Sequence, residues 1–357
     1  MVGRTLFTAS LSTLLLLVLL VPARSEPAPA PTRVLEDYEA LGVIQVDIPT
    51  TPGEKDDPGL ALWIPFHQAY LRPGTLWQSM QVLGQTQFSV VTGEIERTWS
   101  PPSEYIVVRR FQNLDTTSPN PSSTLRMAAV SLGRVVRDLP NGKLLPDPDL
   151  DELEKRLTGR HAALTEERAK LKASTQPTED ILRKNALASE HARITDELKQ
   201  IPLLRKNPCF LIQYENKDLT NHLALRRLAG PGAAAFLDRG KTTYWITRAE
   251  GLPLKIETTS NDGRVALFYC LSAVRMNGGL KTQQFRLDVP EGTWTIVVAG
   301  DVRQPGWEER MDADIQERQK QFVAMKESNQ RQDYNARLRA RTVSPPALQP
   351  QPKRKRR

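Results

Sequence analysis

The sequence is poor in the residues that carry covalent and metal chemistry: two cysteines, Cys209 and Cys270, and four histidines, His67, His161, His191 and His222, in 357 residues. It has no Cys-x-x-Cys pair, no His-Glu-x-x-His and no Gly-x-Ser-x-Gly elbow. Thiol-redox, zinc-protease and serine-hydrolase chemistry therefore lack their usual anchors. Residues 235–242 nearly fit a phosphate-binding loop, but a strand-like run follows at 243–247 where that loop needs a helix, so no nucleotide or other cofactor is expected. The apolar run at residues 6–21 falls short of the roughly 20 residues of a comfortable membrane span. With Arg4 before it and Ala23 and Ser25 after it, residues 1–25 read as a cleaved export signal. No cysteine is near enough for a lipid-attachment box, so a periplasmic or secreted protein is expected, beginning with a proline-rich leader at 26–33. In an oxidising compartment Cys209 and Cys270 either pair across a loop of about 60 residues or stand as two buried thiols; the sequence leaves both open.

What is present is ordinary for a globular chain, 39% hydrophobic and 25% charged. The clearest stretch is 242–298, five β-like runs divided by Ala249-Glu250-Gly251-Leu252-Pro253, Asn261-Asp262-Gly263, Asn277-Gly278-Gly279 and Pro290-Glu291-Gly292, which predicts an antiparallel meander. In the run 265–274, Val265, Leu267, Tyr269 and Leu271 point one way and Ala266, Phe268 and Cys270 the other. Both faces of that strand should be covered by apolar groups.

Residues 34–146 hold a further strand set: 88–92, 94–99 and 105–111, with a turn at Pro101-Pro102. Before it, 34–41 suggests a short helix and 60–83 mixes helical spacing with Pro65 and Pro73; after it, 125–139 reads as a strand pair or a helix. Residues 147–202 break the β pattern. Leu150, Leu157, Leu164 and Leu171 recur every seven residues, and Leu187, His191, Ile194, Leu198 and Ile201 mark a second helix that Pro202 should stop. The two predict an inserted αα-hairpin projecting from the sheet, as a lid, a solvated decoration or a docking arm. In it His161 and His191 are each 15 residues from the turn and face each other, either as surface residues or, with Glu190, as a zinc-type set; no metal is assigned. The sheet resumes over 203–302, with a short helix expected at 219–228. A polar amphipathic helix is expected over 303–340, its narrow stripe carrying Trp307, Met311, Ile315, Phe322 and Met325. Residues 341–357 read as a disordered basic tail. From 331 onward nine Lys or Arg against one acid, Asp333, give +8, equal to the formal charge of the whole chain. In an exported protein Lys353, Arg354, Lys355, Arg356 and Arg357 suit an anionic membrane surface, and no nucleic acid is expected.

The order Tyr-Trp-Ile-Thr from 244, Gly-Leu-Pro-Leu-Lys-Ile-Glu from 251, Asp-Gly at 262, an apolar strand, Asn-Gly-Gly-Leu from 277 and Phe-Arg-Leu-Asp-Val-Pro-Glu-Gly from 285 resembles the C-terminal half of the LolA-like, lipoprotein-sorting carriers, over about a sixth of the chain. The resemblance implies an α+β fold: a curved antiparallel half-barrel with helices closing its concave side and acyl chains bound between. On that reading Tyr244, Ile246, Leu254, Ile256, Leu267, Tyr269 and Leu271 line the concave face; the same residues also read as core. Arg109 corresponds to the family's strand arginine that helps hold the helical lid. The function implied is an exported, non-enzymatic carrier-like protein for an apolar ligand or lipoprotein acyl chains. The alternative is an envelope scaffold that binds a protein or anionic surface through the hairpin and tail.

Overall fold

The computed structural model describes residues 29–48, 60–82, 84–113, 141–172, 179–215, 240–260, 263, 265–301 and 303–343. In chain order they form β1 (Asp37–Ile48), β2 (Leu60–Leu71), β3 (Thr75–Val82), β4 (Gln85–Thr92), β5 (Ile95–Trp99), β6 (Tyr105–Gln112), β7 (Lys143–Leu145), α1 (Leu150–Lys172), α2 (Glu179–Lys206), β8 (Cys209–Glu215), β9 (Lys241–Thr247), β10 (Pro253–Thr259), β11 (Val265–Met276), β12 (Trp294–Asp301) and α3 (Trp307–Val343). The strands make one open, curved sheet of 12, in the order β12-β6-β5-β4-β3-β2-β1-β11-β10-β9-β8-β7, and with the three helices an α+β fold. Every pairing is antiparallel except β12 with β6.

The stretch 34–41 begins a strand, not a helix. Tyr38 and Ala40 are buried while Leu41 is exposed, a period-two pattern that lets β1 pair with β2 on one side and β11 on the other. Gly42 marks a bulge there: a Cβ would meet the Cys270 carbonyl and the Phe66 ring, both at 2.5 Å. The mixed signal at 60–83 is likewise two strands. Pro65 is tolerated because β2 pairs with β3 only from Phe66 onward. The expected meander stops early. With β1 on its far side, β11 has no edge left for the next run, so 280–289 carries only a 3₁₀ turn at Thr282–Gln284 and β12 crosses to the opposite end of the sheet.

Helices α1 and α2 run antiparallel, as Arg160 with Glu190 and Arg205 with Asp151 and Glu154 require. Asp149 caps α1 by accepting from the Asp151 and Glu152 amides. The leucine repeat forms a seam of Leu157, Leu164, Leu187, Ile194 and Ile201. Pro202 does not end α2, which continues to Lys206. Core contacts hold that last turn: Ile201 is 1% exposed, Leu204 4%, and the Gln200 side chain donates to the Leu254 carbonyl. Nor does the pair project from the sheet. Side-chain bonds reach from α2 to Gln45 of β1 and Lys255 of β10, so this hairpin lies on the sheet.

Strand register puts α3 on the other face. Trp307, Met311 and Ile315 pack on Val107, Phe111, Ile296 and Val298, and Phe322 meets Tyr105 and Trp294 edge-on. Gly300 allows the approach, since a Cβ there would sit 2.5 Å from the Met311 sulfur.

Candidate functional site

The face opposite the hairpin gathers most of the residues expected to line a ligand site. Tyr244, Ile256 and Tyr269 stand directly across from one another on β9, β10 and β11; Leu267 faces Thr258, Leu271 faces Gly42, and Ile246 faces Phe210. Leu254 lies at the bulge between Pro253 and Lys255. All but Tyr269, which is partly buried, are 3% exposed or less. Tyr244 is wholly buried, yet its hydroxyl finds no hydrogen-bond partner. Burial, helped by the neighbouring Tyr214, pushes its pKa well above the phenol range.

Beside these apolar rows runs a polar one. Gln68, Gln78, Ser89 and Thr98 are paired in sequence across β2 to β5, none more than 7% exposed. Gln68 Nε2 donates to the Tyr38 and Tyr269 hydroxyls, at 3.1 Å each, while the Ser89 hydroxyl has no partner. Arg109 lies at the end of this row, Nη1 3.7 Å from Glu96 Oε2 and 3.5 Å from Thr98 Oγ1. Both of these partners among the described residues belong to β5.

On the hairpin face a buried ionic group seats α2. Lys255 Nζ is 2.6 Å from Glu197 Oε2 and 2.9 Å from Glu257 Oε2, Arg193 holds Glu197 at 2.8 Å, and the ammonium lies over the Trp245 and Phe268 rings. Burial alone would lower the Lys255 pKa; the two carboxylates outweigh it and raise it. Cys209 and Cys270 are both buried free thiols. They stand on β8 and β11, three strands apart and so separated by about 14 Å, too far for the disulfide that the sequence left open. Burial pushes the Cys209 thiol up to about 12 and the Cys270 thiol higher still. At the hairpin's root a cavity of about 210 Å³ is lined by Leu150, Leu204, Cys209 and Trp245 together with Arg205 and Arg248, whose guanidiniums already hold Asp151, Glu154 and Asp147.

The same face carries residues that the sequence reading did not single out. His67, Trp77, Phe88 and Trp99 form a ladder across β2 to β5, with successive ring centroids 5.0, 6.4 and 5.8 Å apart, and all four are half-buried. A signal existed: Trp77, Phe88 and Trp99 recur at 11-residue intervals, close to the 10-residue spacing at which β3, β4, β5 and β6 begin. The histidine pair does meet, His161 and His191 lying 4.2 Å apart between ring centroids, but no group of three metal-ligating side chains occurs among the described residues. Residues 1–28, which hold the export signal and the start of the leader, the 219–228 and 125–139 segments and Lys353 to Arg357 lie outside the described residues. No described helix is long and apolar enough to cross a membrane.

No protein-family model matches the sequence, and no curated protein matches it. Solved structures do. An uncharacterized conserved protein from Thermus thermophilus is 8% identical, with 73% of this chain and 90% of that one covered, at a TM-score of 0.32. The MucA/MucB complex of Pseudomonas aeruginosa follows at 9% identity, 73% and 58% coverage and a TM-score of 0.30. A LolA superfamily protein from Nitrosomonas europaea gives 9% identity, 72% and 93% coverage and a TM-score of 0.26. LolA superfamily structures are thus among those this chain is similar to, while the site rests on the chain's own residues.

Proposed function

We propose that this chain is an exported, non-enzymatic binding protein of the cell envelope that holds an amphiphile with an alkyl or acyl chain, a lipid or lipoprotein, on the face opposite the hairpin. The observation that carries this reading is the unpartnered Tyr244 hydroxyl inside an apolar wall, beside a polar row that itself includes the unpartnered Ser89 hydroxyl. A buried hydroxyl without a partner costs on the order of 1–3 kcal/mol, a cost that a ligand oxygen would remove. Ile246, Leu254, Ile256, Leu267, Tyr269 and Leu271 then grip the chain, each buried CH2 contributing about 0.8 kcal/mol. Opening of the covered face is part of this reading, because the wall is sealed from solvent.

Displacement of a fluorescent fatty-acyl probe tests it. Tyr244→Phe should melt no lower than the parent protein, having lost only an unsatisfied hydroxyl, and should bind the probe several-fold more weakly. Equal binding by both proteins would remove Tyr244 from the site.

The scaffold reading has one observation of its own: from Glu327 to Asp333 every side chain of α3 is exposed, so the helix runs on beyond its packed third toward the basic tail. A chain ending at Pro352 lacks Lys353 to Arg357. It should lose most binding to anionic vesicles at low salt if the tail meets such surfaces; undiminished binding would assign the affinity elsewhere.

A further inference from the structure

The two edges of the sheet are built differently. At one end β7 has three residues, short enough to offer little for another strand to pair with. At the other end β12 has eight, and among the described residues it pairs only with β6. The Trp294 amide donates to the Glu104 carbonyl, so the backbone groups of Trp294, Ile296, Val298 and Gly300 point to β6, and those of Thr295, Val297 and Ala299 point away from the sheet. The side chains of these last three are exposed, Val297 by 37%, and Trp294 is 49% exposed. The usual protections of an edge are missing from β12: it has no proline, no bulge against β6 and no charge before Asp301. A strand edge this long, neutral and apolar is a template for another strand.

The placement of α3 selects that strand. The helix lies over both β12 and β6 and runs opposite to them, since Trp307 and Met311 are against Gly300 while Phe322 is against Trp294. A second β12, antiparallel to the first about a two-fold axis through the Val297 pair, keeps both α3 helices on one face. With strands about 4.8 Å apart, the two helices are separated by two strand spacings, roughly 10 Å, a distance at which helices pack. Trp294, opposite Gly300 of the other copy, then fills the groove between them. Thr295 meets Ala299 across the axis and Val297 meets its own equivalent, so no like charges face each other.

We propose that the β12 edge is a self-association surface, on which a second copy of this chain adds its own β12 antiparallel and continues the sheet. The edge lies outside the apolar wall of Tyr244 to Leu271, and its use does not depend on a bound ligand.

Sedimentation equilibrium of the full chain, with amide exchange at low and high protein concentration, tests the surface. The parent protein should form a reversible dimer at or below about 100 μM, and the Thr295, Val297 and Ala299 amides should gain protection as it forms. Val297→Lys and Val297→Glu each set like charges on the two-fold axis, and each should weaken association about tenfold or more. An equimolar mixture of the two variants should recover most of it, because opposite charges then meet. Both variants should melt with the dilute parent, since the side chain they replace is exposed. The proposal is overturned if the parent stays monomeric at that concentration, if the dimer survives both substitutions, or if the mixture associates no better than either variant alone. Protection of the three amides in a monomer would overturn it as well, by giving the edge to another segment of the same chain.

Discussion

Lys255 of β10 and Glu197 of α2 meet at 2.6 Å, with 4% and 5% of their surfaces exposed, so the sheet and the hairpin share a buried ion pair. Lys255→Met leaves Glu197 with Arg193 and leaves the partly buried Glu257 without this cation, and should cost about 1–3 kcal/mol, read as a lower denaturant midpoint. Adding Glu197→Leu should recover part of the loss; a cost below about 1 kcal/mol for the single change would show the pair to be solvated.

The same group fixes the sign of the acid response. Lys255 holds the Glu257 carboxyl below its ordinary value of 4.5. A depressed carboxyl contributes stability that is complete above that value and is lost as the pH falls through the folded-state value. Glu257→Gln should therefore flatten the acid limb of a stability profile below about pH 4.5; an unchanged limb would place the acid sensitivity elsewhere.

A second titration belongs to the hairpin. Burial, then the charges of His161 and Arg168, hold the His191 pKa below 6.5. Thr165 Oγ1 is 3.3 Å from His191 Nε2, and the nearby carboxylate of Glu190 is taken by Arg160. With a lowered histidine pKa the unfolded chain binds the proton first, so stability is full above 6.5 and declines below it. His191→Gln should remove this decline from the pH dependence of hairpin unfolding, followed by amide exchange in α1 and α2. Persistence of the decline in the variant would contradict the assignment.

Cys270 reports on whether the hairpin lifts. Its thiol lies under α2, with Sγ 3.9 Å from the Asp196 carbonyl, and is fully buried. A thiol reagent should leave it unmodified in the parent protein and label it in Lys255→Met at a rate set by hairpin opening. Labelling of Cys209 but not Cys270 in that variant would show that α2 stays down.

How much of this was legible depended on which forces the sequence displays. Periodicity of two identified β9 to β11, and the leucine repeat identified α1, because local pattern and tertiary packing agree there. The destination of β12 was not legible: whether the next run joins β11 depends on β1, more than 200 residues earlier, having taken that edge. Pro202 misled for a related reason, since Ile201 and Leu204 hold the turn through contacts that no window around the proline contains. The apolar set at Tyr244 to Leu271 could be named from alternation as ligand wall or as core, but its polar neighbours Gln68, Gln78 and Ser89 each come from a different strand. Only the register brings them into line.

Gly300 offers a direct check on how α3 docks. Gly300→Val would push branched carbons into the Met311 and Trp307 side chains and should cost about 1–3 kcal/mol by overpacking, seen as a lower Tm. A variant that melts with the parent would mean that α3 can shift off β12 without loss.

The central claim, that the face opposite the hairpin holds an amphiphile, is tested most directly by native mass spectrometry of the full chain, followed by solvent extraction and identification of what it carries. The account predicts a bound species with an alkyl or acyl chain, present at about one per chain in the parent protein and depleted in Tyr244→Phe. A protein that emerges without ligand and takes up none from added lipid would contradict it.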